Sequence, residues 1–150
     1  MTENKTGPIL RDGTAVSDLI DLDKREVKLR ALSDHEIYAI EQEKIFGKTW
    51  LLLGHESEIP NDSDFMQRFM GDDAVIVARA KGGEIHVSLN VCPHRGMKIV
   101  TQDRGNSAFH KCIYHGWAFK PSGEFLGSPV ADQCMHGEIR SKEELGLTKA

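Results

Sequence analysis

Short apolar runs separated by turn residues dominate the chain from Trp50 onward. Their β-forming residues predict six strands, at 50–54, 65–70, 74–80, 85–89, 108–112 and 117–120. Two glycine-containing polar segments, 81–84 and 121–124, predict tight hairpin turns. The pattern therefore predicts a mainly β fold of small antiparallel sheets.

One helix is predicted before this β region. The sequence Ser33-Asp34-His35-Glu36 matches a capping box, and the apolar positions that follow recur at helical spacing. These signals predict a helix over 34–46 that Gly47 ends. Residues 1–32 lack periodicity and predict an extended leader with no core of its own and one short helix near 16–22.

The pattern fades after Gly127, and residues 142–150 are charged and permit a helix. We therefore expect the chain to stop inside a longer protein. The predicted organisation has three segments: a leader with a capped helix (1–49), the β domain (50–130), and the start of a linker or of a following domain (131–150).

Composition narrows the class of protein. The chain has 150 residues, 39% of them hydrophobic, which is enough to build a core without disulfides. With a net charge of −4 and no dense run of Lys or Arg, the sequence disfavours nucleic acid as a partner. The sequence has no apolar stretch of membrane-spanning length and no secretory signal at its polar N-terminus. We expect a cytoplasmic protein that does not interact with a membrane.

Three cysteines cannot all pair, and two of them stand close to histidines. This arrangement indicates metal ligation in a reducing compartment rather than a disulfide framework. The third, Cys134, is interpreted as a thiol without function, with a role as a fifth ligand as the alternative.

The candidate ligands lie in two short segments. Cys92-Pro93-His94-Arg95-Gly96 supplies one thiolate and one imidazole, and Cys112-Ile113-Tyr114-His115-Gly116-Trp117 supplies the same pair after seventeen residues that separate His94 from Cys112. A binuclear iron centre needs four protein ligands, and in the Rieske arrangement two histidines replace two cysteines on one iron. Cys92, His94, Cys112 and His115 are therefore predicted to hold a 2Fe-2S cluster, with the thiolates on the inner iron and the imidazoles on the outer.

Structural zinc is the chemical alternative, because two cysteines and two histidines also bind zinc. Zinc fingers usually pair cysteine with cysteine and histidine with histidine, whereas each segment here is mixed. Other residues are interpreted as ordinary: His55, His86 and His110 as hydrogen-bonded or surface histidines. Arg95 is assigned either to a docking surface or to an ion pair.

The two segments resemble the Rieske domain of bacterial aromatic-ring-hydroxylating dioxygenase large (α) subunits, whose loops read C-x-H-R-G and C-x-Y-H-G-W. The resemblance covers about residues 33–130 and includes Leu89-Asn90 and Gly105-Asn106, each before one of the loops. This sequence differs from the Rieske proteins of respiratory complexes, which carry a disulfide at the positions that match Met97 and Tyr114.

The resemblance implies an oxidoreductase in which this chain relays electrons from a ferredoxin or reductase. The acceptor is a mononuclear Fe(II) that activates O2 for aromatic-ring hydroxylation. That iron is expected in a C-terminal domain absent from this chain, so the chain alone is not expected to catalyse hydroxylation. Other implied partners are the catalytic domain of the same or a neighbouring α subunit and, in many members, a β subunit. A free-standing Rieske ferredoxin and a zinc-stabilised interaction module are the alternative functions.

Overall fold

The computed structural model describes residues 7–129 and 141–150, so Cys134 and His136 lie outside the described residues. The chain forms two compact units, which divide between Leu51 and Leu52. No helix within the two described ranges is long and apolar enough to cross a membrane.

In the first unit, the helix predicted over 34–46 is shorter than expected. Its α-helical part is α2 (His35–Glu41), which continues into a π-helical turn (Gln42–Phe46). Gly47 ends this turn as predicted, and its N–H donates to the carbonyl of Gln42 at 2.9 Å. The wide turn interrupts the regular spacing, which is why Ile45 does not continue the buried face of Ile37.

The predicted capping box does not form, and the N-cap of the helix lies one residue later than expected. Asp34 caps α2, because its carboxylate accepts a hydrogen bond of 2.8 Å from the backbone N–H of Glu36. Ser33 instead ends a preceding one-turn helix, α1 (Arg30–Ser33), and its hydroxyl donates to the carbonyl of Leu29. Arg30 and Asp34 form an ion pair of 2.7 Å across the junction of the two helices.

The leader contributes to a small core that it shares with α2. Leu10 and Leu19 are buried together with Ile37 of α2. The leader contains a 3-10 helix and two short antiparallel strands, at Val16–Leu19, β1 (Ile20–Asp21) and β2 (Glu26–Val27). The 3-10 helix lies within the range 16–22 where a short helix was predicted. The two strands have only two residues each, which is too short to show alternation, so the sequence pattern did not indicate them.

The second unit contains a four-stranded antiparallel sheet with the strand order β5-β4-β3-β6. These strands are β3 (Asp64–Met70), β4 (Asp73–Arg79), β5 (Ile85–Leu89) and β6 (Arg104–Asn106). The predicted hairpin turn between β4 and β5 is present. Gly82 and Gly83 both adopt positive φ there, and Ala80 N–H donates to Glu84 O at 2.7 Å.

A second, three-stranded antiparallel sheet has the order β7-β8-β9. Its strands are β7 (His110–Lys111), β8 (Ala118–Phe119) and β9 (Phe125–Gly127). The predicted turn at 121–124 joins β8 to β9, with Lys120 N–H donating to Glu124 O at 2.8 Å. The predicted class, a mainly β fold of small antiparallel sheets, is therefore confirmed.

Among the described residues of the second unit, two strands were not predicted and one predicted strand is absent. The pattern did not indicate β6 or β9, because three residues that contain glycine are too short to show alternation. The segment 50–54 is not a strand. Its Leu53 carbonyl accepts instead from the Nε of Arg68 at 3.0 Å, and Trp50 is exposed.

Both faces of the four-stranded sheet are covered in the second unit. Val75 and Val77 of β4 lie in one apolar cluster, and Ile76 and Ala78 lie in the other. The second cluster also contains both candidate ligand cysteines and the aromatic rings of the smaller sheet: Cys92, Cys112, Trp117, Phe119 and Phe125. The candidate site is therefore anchored directly in the core of this unit.

Residues 148–150 lie along β5. Leu89 N–H donates to Thr148 O at 2.8 Å, Ala150 N–H donates to Val87 O at 3.1 Å, and Leu147 is buried in the core that contains the cysteines. The helix permitted by the charges over 142–150 is not formed. The three segments 1–49, 50–130 and 131–150 remain a prediction for the domain organisation.

Candidate metal centre

Two loops with the same backbone hydrogen bonds carry the four predicted ligands. In the first, Cys92 N–H donates to Met97 O at 2.8 Å and Gly96 N–H donates to Cys92 O at 2.8 Å. In the second, Cys112 N–H donates to Trp117 O at 2.8 Å and Gly116 N–H to Cys112 O at 2.9 Å. Each loop thus closes over six residues, although the histidine stands two residues after the cysteine in one and three after it in the other.

The loops bring the predicted residues together in two pairs. The Cys112 side chain is near enough to Cys92 to help raise the pKa of the Cys92 thiol, and each cysteine is 2% exposed. The imidazole rings of His94 and His115 have centroids 4.6 Å apart. His94 is exposed and His115 is half-buried, so the cysteine pair lies inward and the histidine pair outward.

A buried amide fixes the entry to the first loop. Asn90 is 1% exposed, and its side-chain oxygen accepts from the N–H groups of Ile99 and Val100 at 3.0 and 2.9 Å. Its side-chain nitrogen donates to Val100 O at 2.7 Å. Sequence reasoning noted Asn90 only as part of the resemblance, because an asparagine beside a loop usually indicates a turn rather than a buried brace.

The electrostatics of the site distinguish the thiols from the imidazoles. Burial raises the pKa of Cys92, while the backbone N–H groups of His94 and Arg95 donate to its sulfur and oppose that shift. Partial desolvation lowers the pKa of His94, with His115 and Arg95 adding to the effect. A neutral imidazole is the form that ligates a metal, whereas a buried thiolate needs a nearby positive charge to be stable.

The sequence of residues 49–141 matches the family of Rieske [2Fe-2S] domains. This chain belongs to that family. The cofactor of a Rieske domain is a 2Fe-2S cluster, as the sequence predicted, and the predicted mainly β class of this domain agrees with the two sheets of the second unit.

Relatives of known name place this Rieske domain among oxygenase α subunits. It is 43% identical over 135 residues to the α subunit of biphenyl 2,3-dioxygenase from Rhodococcus jostii (strain RHA1), covering 90% of this chain and 29% of that protein. It is 38% identical over 146 residues to the α subunit of N,N-dimethyl phenylurea N-demethylase from Sphingobium sp. (strain YBL2), covering 94% and 32%.

A solved structure, naphthalene 1,2-dioxygenase from Rhodococcus sp. bound to indole, superposes with a TM-score of 0.76 at 36% identity. That match covers 82% of this chain and 28% of the other. The predicted resemblance to α subunits of ring-hydroxylating dioxygenases is confirmed. This chain spans only about three tenths of the length of the curated relatives it matches.

The residues of the Rieske domain fit a 2Fe-2S cluster. The Nδ1 atom of His115 is buried and has no hydrogen-bond partner, as expected for a nitrogen reserved for a metal. Within residues 7–129 and 141–150, no three Cys, His, Asp or Glu side chains lie close enough to bind one ion. Separate thiol and imidazole pairs suit a binuclear centre better than a single tetrahedral zinc ion.

One neighbouring histidine differs from its interpretation as an ordinary hydrogen-bonded or surface residue. His110 on β7 is 4% exposed, and its Nε2 has no hydrogen-bond partner. Burial lowers the pKa of His110 to about 4, and its ring meets Phe65 edge-on at 5.1 Å. The other two histidines are ordinary: His55 caps a 3-10 helix (Glu56–Glu58) and contacts Ser57, and His86 of β5 lies 3.5 Å from Glu84.

Replacing the loop glycines one at a time should destabilise the Rieske domain to different extents. Gly96 and Gly116 have φ of 69° and 72°, where a side chain costs about 1–2 kcal/mol. A Cβ at Gly96 would meet nothing within 4 Å, whereas one at Gly116 would lie 2.8 Å from Cγ of Pro129. We expect Gly116→Ala to lower the free energy of unfolding by about 1–3 kcal/mol more than Gly96→Ala does, because of this overlap.

Thermal unfolding of the two variants and the wild type, monitored by circular dichroism, measures this difference. Gly96→Ala is the matched control, since it tests the cost of the positive φ alone. Equal midpoints for the two alanine variants would show that Pro129 yields without cost and would contradict the prediction.

Proposed function

We propose that this Rieske domain is the electron-transfer module of a ring-hydroxylating oxygenase and that Cys92, His94, Cys112 and His115 hold its cluster. When bound, a 2Fe-2S cluster accepts and donates single electrons. The observation that carries the proposal is the pairing of the side chains, with two buried thiols inward and two imidazoles outward, in a chain similar to oxygenase α subunits.

The chain's own residues divide the work of the site. Cys92 and Cys112 are placed to bind from the core side, where the surrounding apolar side chains exclude water. His94 and His115 bind from the surface side. Next to His115, Ile113 and Tyr114 are 72% and 56% exposed, so an aliphatic and an aromatic side chain lie at the surface beside it. Electron transfer requires close approach, and this surface suits contact with a protein partner.

Arg95 also suits contact between the cluster loops and a protein partner. It is exposed and directly follows His94. We propose that it forms part of the docking surface for a ferredoxin or reductase, as one of the two roles predicted for it. Other proposed partners are the catalytic domain of the same or a neighbouring α subunit and a β subunit. A cytoplasmic location would keep the cysteine thiols reduced.

For the complete enzyme, we propose a mononuclear Fe(II) site in a part of the protein outside this chain. The named relatives include a biphenyl dioxygenase and a phenylurea N-demethylase, so related α subunits serve both ring dioxygenation and demethylation. We propose oxidation of an aromatic compound as the reaction class. In this reaction the present chain relays electrons and does not itself hydroxylate the substrate.

The test is to purify the 150-residue chain, measure its iron and sulfide, and record its electron paramagnetic resonance spectrum after reduction. We expect two irons per chain, a brown colour, and the low average g-value of a mixed-ligand cluster. Zinc in place of iron, or an all-cysteine spectrum, would contradict the proposal.

The same preparation tests the division of labour. Mixed with a reductase, a ferredoxin, NADH, O2 and biphenyl, the chain should be reduced but should form no diol or phenol. A steady product yield that depends on this chain alone would contradict the proposal that hydroxylation requires an iron site elsewhere.

A further inference from the structure

The two cluster loops are similar in backbone but differ in what covers their histidines. Met97 and Trp117 occupy equivalent positions, since the carbonyl of each accepts from the N–H of its loop's cysteine. The Trp117 indole does not cover its own loop's histidine. It lies parallel to the imidazole of His94 in the other loop, with an interplanar angle of 3° and centroids 4.9 Å apart.

Trp117 is a rigid platform for this contact. It is 4% exposed, and its ring packs on Phe125 at 4.8 Å, which in turn packs on Phe119 at 5.8 Å. Its carbonyl is fixed by the hydrogen bond from Cys112. His94, by contrast, is exposed and lies on a turn. The stacking contact therefore joins His94, an exposed residue on a turn, to Trp117, a buried and packed residue.

The second histidine is held in a different way. His115 contacts Tyr114 at 3.8 Å, but the two rings are tilted by 35° and Tyr114 is 56% exposed. His94 meets His115 nearly edge-on, at 67°. Of the two imidazoles, only that of His94 has a buried, parallel aromatic partner among the described ring contacts.

We propose that Trp117 is a positioning residue that sets the plane of the His94 imidazole at the cluster. This inference rests on the proposed ligand role of His94. An imidazole bound through one nitrogen keeps the freedom to rotate about its bond to the metal. A parallel indole against one face removes that freedom, because rotation would drive the ring edge into Trp117. The same contact shields one face of His94 from water.

Three variants of the full chain test the proposal. Trp117→Met removes the ring and introduces the residue that the first loop carries at the equivalent position, so the turn should accept it. Trp117→Phe keeps a smaller aromatic face. Phe119→Leu is the matched control, because it loosens the same aromatic core without touching His94.

The measurement is the nitrogen hyperfine coupling of the two ligand histidines, recorded by pulsed electron paramagnetic resonance on reduced, 15N-histidine-labelled protein. Trp117→Met should change one of the two histidine couplings and leave the other at its wild-type value. In Trp117→Phe the changed coupling should return most of the way to the wild-type value. Phe119→Leu should leave both couplings unchanged. Loss of iron to a chelator should be about 10- to 100-fold faster in Trp117→Met than in the wild type.

Unchanged couplings in Trp117→Met, or an equal change in Phe119→Leu, would overturn the proposal, since the effect would then be absent or due to core packing. If the Trp117→Met variant does not bind the cluster, the Trp117→Phe variant provides the test. A partial change in one histidine coupling of that variant supports the proposal, and the absence of any change refutes it. A wild-type chain with no histidine nitrogen coupling would instead refute the proposed function. Two histidine couplings in the wild type that stay the same in both Trp117 variants would refute this inference but leave the proposed function intact.

Discussion

Replacing either Cys92 or Cys112 with serine should remove all bound iron and all visible colour from the purified chain. A serine hydroxyl stays protonated at neutral pH and is a poor ligand for iron in place of a thiolate. Both cysteines are 2% exposed and lie in the core, so solvent has little access to replace the lost ligand. Iron analysis and visible absorption measure the effect.

Cys134→Ser is the matched control for this experiment. It is the third cysteine of the chain, and the sequence predicts no function for it. The control should keep iron content and spectrum at the wild-type level, and circular dichroism should show folded protein in every variant that is compared. Loss of the cluster in Cys134→Ser together with its retention in Cys92→Ser would show that the ligand assignment is wrong.

The longest strands and both hairpins could be predicted because their signals are local. Residues of β3, β4 and β5 form short segments with apolar and β-branched residues, and turn residues separate β3 from β4 and β4 from β5, which favours strands over helices. The hairpin between β4 and β5 requires positive φ at Gly82 and Gly83, which glycine supplies without strain.

The remaining elements depend on contacts between distant residues. The small core of the first unit joins Leu10 and Leu19 to Ile37, and no window of the sequence contains all three in one regular pattern. The segment at 50–54 has β-forming residues, yet its carbonyl at Leu53 pairs with a guanidinium from Arg68 rather than with a strand. Tertiary contacts therefore outweigh the local propensity at both places.

The chemistry of the site was more predictable than its architecture. Spacing and residue type indicated Cys92, His94, Cys112 and His115, and the structure brings their side chains together in two pairs. The assignment of these four residues as ligands stays a prediction. The sequence did not show that loops of different Cys–His spacing share one backbone turn, because their hydrogen bonds do not depend on where the histidine stands.

The supporting residues around the site carry no motif of their own. The Asn90 side chain makes three buried hydrogen bonds to residues nine or ten positions further along and a partly buried one to Gln67. Trp117 follows the two ligands of the second loop in the sequence, yet its ring stacks on a histidine of the first loop. Such contacts between loops are set by the fold, so the sequence could name the side chains without naming their partners.

The reduction potential of the Rieske centre follows first from its charge. Two ferric ions, two sulfides and two thiolates sum to zero, because neutral imidazoles add none, whereas four thiolates would leave the oxidised core with two negative charges. An electron enters a neutral core more easily. Rieske centres accordingly span roughly −150 to +300 mV, against about −400 mV for plant-type ferredoxins.

Within that span, we expect a potential near the lower limit, about −150 mV. Hydrogen-bond donors to sulfur raise the potential. The backbone N–H groups of His94 and Arg95 donate to Cys92 here, but Trp117 stands where respiratory Rieske proteins have a serine, and Met97 and Tyr114 leave no disulfide beside the site. A low value suits the acceptance of electrons from a ferredoxin and their delivery to an iron that binds O2.

Protein-film voltammetry of the purified chain across pH measures this potential. The reduced centre holds a proton on a ligand imidazole more tightly than the oxidised one does, so the potential should be constant at low pH and should fall once the pH exceeds the pKa of the oxidised form. A potential near that of plant-type ferredoxins with no dependence on pH would contradict ligation by His94 and His115. A value at the upper limit of the Rieske span would leave that ligation intact and contradict the oxygenase assignment, because electrons at that potential would not suit the reduction of an O2-binding iron.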